Sequence, residues 1–123
     1  MRQCLVVDDS NIIRRVARKI LEDLRFEVLE AENGQQAIEL CGSSSPDAIL
    51  LDWHMPDMTG IEAIQQLRSA SDERKPYIVY AVTENDASDI TRALTAGADD
   101  FVLKPFDRRD LEAKFSAAAS DFN

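Results

Sequence analysis

The sequence predicts an α/β domain in which a parallel β-sheet carries helices on both faces. Five short apolar runs alternate with five segments whose apolar residues recur at helical spacing. This strict alternation is typical of parallel sheets, because each pair of parallel strands needs a crossover that is usually a helix. A length of 123 residues suits one domain of ordinary size with a real hydrophobic core.

The first half of the chain contains three predicted strands, at residues 4–7, 26–31 and 48–51. Between the first two, apolar residues from Ile13 to Leu24 follow the 3.6-residue period of an amphipathic helix. After the second strand, Asn33 and Gln36 resemble a capping box, so we predict a second helix running through Cys41. The third strand is the most apolar of the five and ends at Asp52.

The second half repeats this pattern. Thr59 and Glu62 form another capping-box pattern that opens a third helix. Strands are predicted at 77–82 and 101–103, and the helix between them should end near Gly97, a suitable C-cap. A last helix is expected to start near Asp107, with apolar residues on one face at Leu111, Phe115 and Ala118.

Composition excludes several classes of function. A net charge of −9 argues against a general nucleic-acid surface, which would need a basic patch. No apolar run reaches the roughly 18 residues of a membrane span, and the N-terminus has no signal-peptide pattern, so we expect a cytoplasmic protein. The single histidine, His54, excludes a multi-histidine metal site, and Cys4 and Cys41 are interpreted as buried small residues.

Polar residues follow four of the predicted strands. Asp8 and Asp9 follow the first strand, Asp52 ends the third, Thr83 follows the fourth and Lys104 the fifth. In open α/β sheets, ligands bind beyond the carboxyl ends of the strands. We therefore expect three carboxylates, one hydroxyl and one ammonium to converge at one edge of the sheet.

This set of groups points to metal-assisted phosphoryl chemistry. Two like charges about 4 Å apart repel by about 1 kcal/mol in water and about 4 kcal/mol at an effective dielectric near 20, and a divalent cation removes that cost. All-oxygen ligation favours Mg²⁺ over zinc. A carboxylate beside the metal can act as a nucleophile towards phosphorus. Taken singly, each residue has an ordinary alternative: Asp9 or Ser10 as a helix N-cap, Lys104 as a solvated side chain.

The chain resembles the CheY-like receiver domains of two-component response regulators over essentially its whole length. The likeness implies a flavodoxin-like, doubly wound (βα)5 sandwich with a five-stranded parallel sheet of order 2-1-3-4-5. The matching segments are Val6-Val7-Asp8-Asp9-Ser10, Leu50-Leu51-Asp52-Trp53-His54-Met55-Pro56 with Gly60, Ala81-Val82-Thr83, Gly97-Ala98-Asp99-Asp100-Phe101 and Leu103-Lys104-Pro105-Phe106.

The resemblance implies a role for each residue of the set. Asp52 would accept the phosphoryl group and, with Asp9 and the backbone carbonyl of His54, bind Mg²⁺ directly. Asp8 would act through a metal-bound water. The remaining two residues, Thr83 and Lys104, would contact the phosphoryl group. The donor would be a phosphohistidine on a sensor histidine kinase or a histidine phosphotransfer protein. Such a domain is not a conventional enzyme, although it takes part in its own phosphorylation and dephosphorylation.

Two positions, Phe101 and Glu84, distinguish this chain from the usual pattern of the family. Phe101 lies at the switch-aromatic position, where a tyrosine is common, so a switch based on a hydroxyl is not available there. Glu84 follows Thr83 where a small residue is usual, and we expect it to narrow the pocket or repel phosphate. The resemblance places His54 and Asn85 at positions that tend to border the attacking water in this family, so we expect them to tune turnover.

We expect a single receiver domain over residues 1–123 without an effector domain. Output would then come from a downstream protein bound at the face formed by helix four, strand five and helix five, as the resemblance implies. Arg108 and Arg109 are either a ligand contact or a solvated pair, and Trp53 is either a core or a partner residue. Alternative functions are a phosphate sink or relay carrier, a pseudo-receiver that is never phosphorylated, and a Mg²⁺-dependent phosphatase.

Overall fold

Strands and helices alternate along the chain in the computed structural model, which describes residues 2–70 and 75–121. The elements within these residues are β1 (Arg2–Val7), α1 (Asn11–Asp23), β2 (Phe26–Ala31), α2 (Gly34–Ser44), β3 (Ala48–Asp52), α3 (Gly60–Ser69), β4 (Tyr77–Val82), α4 (Ala87–Ala96), β5 (Asp100–Leu103) and α5 (Arg108–Asp121).

The five strands form one parallel sheet in the order β2-β1-β3-β4-β5. This confirms the predicted fold class and strand order. Strand β1 begins at Arg2, two residues before the predicted start, because Arg2 pairs with Phe26 of β2. None of the helices within the described ranges is both long and apolar enough to cross a membrane.

Alternation along each strand sends its side chains to two separate cores. On β1, Cys4 and Val6 face one core, while Leu5 and Val7 face the other. The first core is completed by buried residues of α1 and α5. They are Ala17, Ile20 and Leu21 of α1 and Leu111 and Phe115 of α5. The second core contains buried residues of α2, α3 and α4. Both faces of the sheet are covered, as the apolar strands predict. The side chain of Ala118, which the sequence places on the apolar face of α5, lies outside the described residues.

Side-chain caps define where the helices begin. Thr59 and Glu62 form the predicted reciprocal capping box at the start of α3. At α2 the prediction was wrong in one detail. Asn33 caps the helix by accepting from the Gln36 N–H at 2.8 Å, but the Gln36 side chain accepts from the Glu32 N–H instead of the Asn33 N–H. Helix α4 ends at Gly97, whose φ of 130° confirms the predicted C-cap.

Candidate functional site

The end of β1 provides two neighbouring aspartates in different environments. Asp8 is buried, and its Oδ1 accepts a hydrogen bond from the Ser10 N–H at 2.9 Å. Ser10, and not Asp9, is the N-cap of α1, because its hydroxyl accepts from the Ile13 N–H at 3.3 Å. The Asp9 carboxylate is therefore exposed at the sheet edge and is not used as the helix cap.

Lys104 connects the ends of three strands. Its ammonium Nζ lies 2.9 Å from Asp8 Oδ2 and 2.9 Å from Asp52 Oδ1, so it bridges two buried carboxylates. The backbone holds this lysine in register, because the Lys104 N–H donates to the Val82 carbonyl of β4 at 2.7 Å. The peptide bond that follows, to Pro105, is cis.

The two oxygens of the Asp52 carboxylate have different partners. Oδ1 accepts from the Lys104 ammonium and from the Trp53 N–H at 3.0 Å. Oδ2 accepts no hydrogen bond from any residue that the structure describes. Every fully buried side-chain oxygen or nitrogen in the described part of the chain has a partner, so Oδ2 is accessible to solvent. One oxygen of Asp52 is thus held by hydrogen bonds, and the other is accessible to solvent.

Burial and the opposite charges of neighbouring groups have opposing effects on the pKa values of Asp52 and Lys104 in this pocket. Burial raises the pKa of Asp52 above its ordinary value, and the neighbouring Asp8 carboxylate adds to the effect while Lys104 opposes it. Burial alone would lower the pKa of Lys104, but its hydrogen bonds to Asp8 and Asp52 outweigh burial and raise it. The lysine therefore stays charged, and the carboxylate pair is incompletely neutralised.

The donor set fits a hard divalent cation. Asp8, Asp9 and Asp52 each offer one oxygen, and these oxygens all lie within 4.8 Å of one another. Three carboxylates against the single ammonium of Lys104 leave two uncompensated negative charges. Carboxylate oxygens with excess negative charge are the ligands that Mg²⁺ prefers. The three predicted carboxylates are thus brought together.

A surface cavity of about 300 Å³ lies beside this pocket. Its wall includes Thr83, which the sequence predicted to lie at the sheet edge, and the exposed Glu84. Other lining residues are Trp53, Asp86, Asp89 and Arg92. Glu84 thus lines the cavity beside Thr83, and its hindrance of phosphate stays a prediction. Asn85 is exposed in the same β4–α4 connection.

The loop after Asp52 is held close to the sheet. The rings of Trp53 and His54 pack at a centroid distance of 5.3 Å, and both side chains are exposed. The Gly60 N–H donates to the Trp53 carbonyl at 2.8 Å. A Cβ at Gly60 would lie 2.7 Å from the Asp52 carbonyl and 2.6 Å from the Tyr80 ring, so only glycine allows this close approach.

Three further residues that the sequence singled out lie outside the carboxylate cluster. Phe101 is half-buried against the core beneath α4, and the Lys114 ammonium lies 5.3 Å from its ring centroid. Arg108 forms an ion pair with Asp23 at the end of α1, whereas Arg109 is exposed at the start of α5. The structure therefore gives Arg108 a structural partner.

Two tertiary contacts near the site were not found from the sequence. The Tyr80 hydroxyl donates to Asp89 of α4, and Asp57 accepts from two backbone N–H groups of α2. No local motif identifies either contact. The sequence offers only the hydroxyl of Tyr80 on a mostly apolar strand and the acidic residue Asp57 in a loop.

Fold and site together define a doubly wound α/β domain with an acidic, lysine-containing pocket at the carboxyl ends of its strands. Residues 4–116 match the family model described as the response regulator receiver domain, so the chain belongs to this family. It is a CheY-like receiver domain of a response regulator in two-component signalling.

The relatives that match this chain include proteins of similar length and proteins about twice as long. It is 37% identical over 112 residues to the chemotaxis protein CheY1 of Helicobacter pylori, covering 89% of this chain and 90% of that protein. It is 36% identical over 116 residues to the phosphate regulon transcriptional regulatory protein PhoB of Escherichia coli, covering 94% of this chain but 51% of PhoB. Among solved structures, the chemotaxis response regulator CheY4 of Vibrio cholerae superposes with a TM-score of 0.89 at 30% identity, covering 96% of this chain and 98% of CheY4.

Proposed function

We propose that this receiver domain is switched by phosphorylation of Asp52. The observation that carries the proposal is the asymmetry of the Asp52 carboxylate. Lys104 and the Trp53 N–H hold Oδ1, while Oδ2 is accessible and accepts no hydrogen bond from the described residues. A nucleophile that is fixed at one oxygen and free at the other is positioned for attack on phosphorus.

The protein donor of the phosphoryl group would be a phosphohistidine, as the family's pairing with kinases and phosphotransfer proteins suggests. Asp52 Oδ2 attacks the phosphorus, the P–O bond forms, and the P–N bond to the donor imidazole breaks. The leaving imidazole nitrogen takes up a proton. In the hydrolysis that ends the phosphorylated state, water attacks the phosphorus, the P–O bond to Asp52 breaks, and inorganic phosphate leaves with the protons of the attacking water. Such transfer depends mainly on positioning and on stabilising charge.

Mg²⁺ is the proposed cofactor, held by Asp9, Asp52 and the His54 backbone carbonyl, with Asp8 acting through water. Both oxygens of Asp8 already accept hydrogen bonds, from Ser10 and Lys104, which supports the indirect role of Asp8. When bound, Mg²⁺ would neutralise charge on the carboxylates and on the incoming phosphoryl oxygens. The Lys104 ammonium would add a positive charge from the protein itself to the same phosphoryl oxygens.

The response would be read at the face formed by α4, β5 and α5. Leu94 of α4 and Leu103 of β5, each 41% exposed, would offer apolar contacts to a protein partner there. We propose that Thr83 and Phe101 connect the phosphorylated pocket to this face, through a hydroxyl contact and through ring packing respectively. A cytoplasmic location stays a prediction.

Labelling with a small phosphoryl donor tests the proposal. In the presence of Mg²⁺, the parent should take up one phosphoryl group, and intact-mass measurement would detect it. Asp52→Asn should take up none, whereas Asp110→Asn, which changes an exposed aspartate of α5, should label as the parent does. Label that persists in Asp52→Asn, or that is absent from the parent, would exclude Asp52 as the acceptor. A partner that binds the labelled form more tightly would favour the switch over the sink.

A further inference from the structure

Asp57 ties the loop between β3 and α3 to the start of α2. Its Oδ1 accepts from the Gly34 N–H and its Oδ2 from the Gln35 N–H, both at 2.9 Å. These are two of the N–H groups that a helix leaves without partners in its first turn. The helix already has its own cap in Asn33, which serves the Gln36 N–H. Asp57 is therefore an additional, tertiary cap that comes from 23 residues further along the chain.

The neighbouring residue strengthens this junction through packing. The side chain of Met58 lies directly over Gly34, where a Cβ would be 2.5 Å from both Met58 Cγ and Sδ. Asp57 and Met58 thus hold the tip of the loop against the first turn of α2 through a polar and an apolar contact.

The backbone of the loop carries this restraint to His54. The Met55 N–H donates to the Met58 carbonyl at 3.2 Å, and the Met55 side chain is buried. The peptide bond between His54 and Met55 is trans and planar, so its carbonyl points opposite to its N–H. The direction of the His54 carbonyl is therefore set by where Met58 lies, and Met58 is held next to Asp57.

We propose that Asp57 is a positioning residue that orients the His54 backbone carbonyl for Mg²⁺ and couples the metal site to α2. The proposal rests on the function proposed above, in which this carbonyl is a metal ligand. Asp57 would not touch the metal itself. It acts through the Met58 carbonyl and the Met55 N–H, in the way that outer partners of a metal ligand orient that ligand.

Mg²⁺ titration of the full chain tests this role, with the fluorescence of the single tryptophan, Trp53, as the signal. Asp57→Ala should weaken Mg²⁺ binding about tenfold, in the range seen when outer partners of metal ligands are removed. Asp57→Asn keeps one acceptor oxygen and should lie between Asp57→Ala and the parent. The matched control is Asn33→Ala, which removes a cap from the same helix end without releasing the loop. Its Mg²⁺ affinity should stay within about twofold of the parent.

The outcomes separate the two proposals. Equal losses of affinity in Asn33→Ala and Asp57→Ala would show a general effect of helix destabilisation and overturn the positioning role. An unchanged affinity in Asp57→Ala would overturn it as well, while leaving phosphorylation of Asp52 intact. A parent that does not respond to Mg²⁺ in fluorescence or in melting temperature would remove the metal site and this inference together.

A second measurement needs no variant. Coupling between two binding events is reciprocal. If the contact between Asp57 and α2 strengthens Mg²⁺ binding by some factor, bound Mg²⁺ should strengthen that contact by the same factor. Amide hydrogen exchange at Gly34 and Gln35 should therefore slow about tenfold when Mg²⁺ is added, if local opening limits exchange. Exchange rates at these two amides that do not change with Mg²⁺ would contradict the coupling.

Discussion

The phenolic hydroxyl of Tyr80 donates a hydrogen bond to the Asp89 carboxylate at 3.1 Å and so joins strand β4 to helix α4. The Tyr80 ring is 1% exposed and lies on the strand next to Asp52, while Asp89 lies in the first turn of α4. Burial, followed by the nearby Asp89 carboxylate, raises the pKa of Tyr80 far above its ordinary value, so the hydroxyl remains a donor at physiological pH. Phe101 has no hydroxyl, whereas Tyr80 connects the sheet to α4 through this hydrogen bond.

Tyr80→Phe should lower the free energy of unfolding by about 1 kcal/mol, because the hydrogen bond is lost and the Asp89 carboxylate loses its partner. Urea denaturation would measure the loss. If the bond is the cause, Tyr80→Phe and Asp89→Ala combined should cost less than the sum of the two single changes by at least about 0.5 kcal/mol. Strict additivity of the two changes would mean that the contact does not contribute to stability.

Asp52→Asn should stabilise the metal-free domain at neutral pH. The pKa of Asp52 is raised in the folded state by burial, so its ionised form costs folding free energy above that pKa, and the cost is relieved as pH falls through it. We therefore expect a gain in the free energy of unfolding at neutral pH that shrinks as the pH is lowered. Denaturation in the presence of a chelator, across pH, would measure it.

Mg²⁺ should reverse this order of stability. A ligand at about 100 times its Kd stabilises the folded state by about 2.7 kcal/mol. The parent should gain this stability, while Asp52→Asn, which lacks a charged ligand, should gain less. A larger stabilisation of Asp52→Asn than of the parent by Mg²⁺ would be inconsistent with Asp52 as a ligand.

Glu84→Ala should accelerate labelling by a small anionic phosphoryl donor. Removing one negative charge beside the pocket lowers the repulsion of the donor by up to about 1 kcal/mol in water, which corresponds to about a fivefold faster rate. The initial rate of labelling measures this effect, and it should decrease at high salt. Glu39→Ala is the control, because Glu39 is an exposed carboxylate on α2. A similar acceleration in Glu39→Ala would indicate a general effect of net charge.

His54→Ala should shorten the lifetime of the phosphoryl group several-fold. The His54 ring is exposed next to Trp53, two residues after Asp52, and its removal gives water a more open approach to the phosphorus. The backbone carbonyl is retained, so Mg²⁺ affinity should stay as in the parent. Following the decay of label after removal of the donor gives the lifetime. Equal decay rates in the two proteins would exclude this role of the ring.

The order of elements and the edge that carries the site could be predicted from the chain alone. Apolar alternation predicts the strands, and the strand ends bring Asp8, Asp52 and Lys104 to one edge. Boundaries were less certain, since β1 extends to Arg2 by pairing with Phe26, a partner that local periodicity does not reveal. The choice between Asp9 and Ser10 as the N-cap of α1 was also open, because both side chains are chemically suitable.

The sequence by itself determined the fold class and the residue types at the pocket, because hydrophobic periodicity and strand-end chemistry are local properties of the chain. Only the tertiary structure decided that Lys104 bridges Asp8 and Asp52, that one oxygen of Asp52 stays accessible, and that Asp57 holds a loop to α2. The Asp57 contact crosses 23 residues of sequence and the Lys104 contacts cross 96 and 52. Such pairs depend on how the crossovers place distant backbone segments, and no local pattern in the chain encodes that placement.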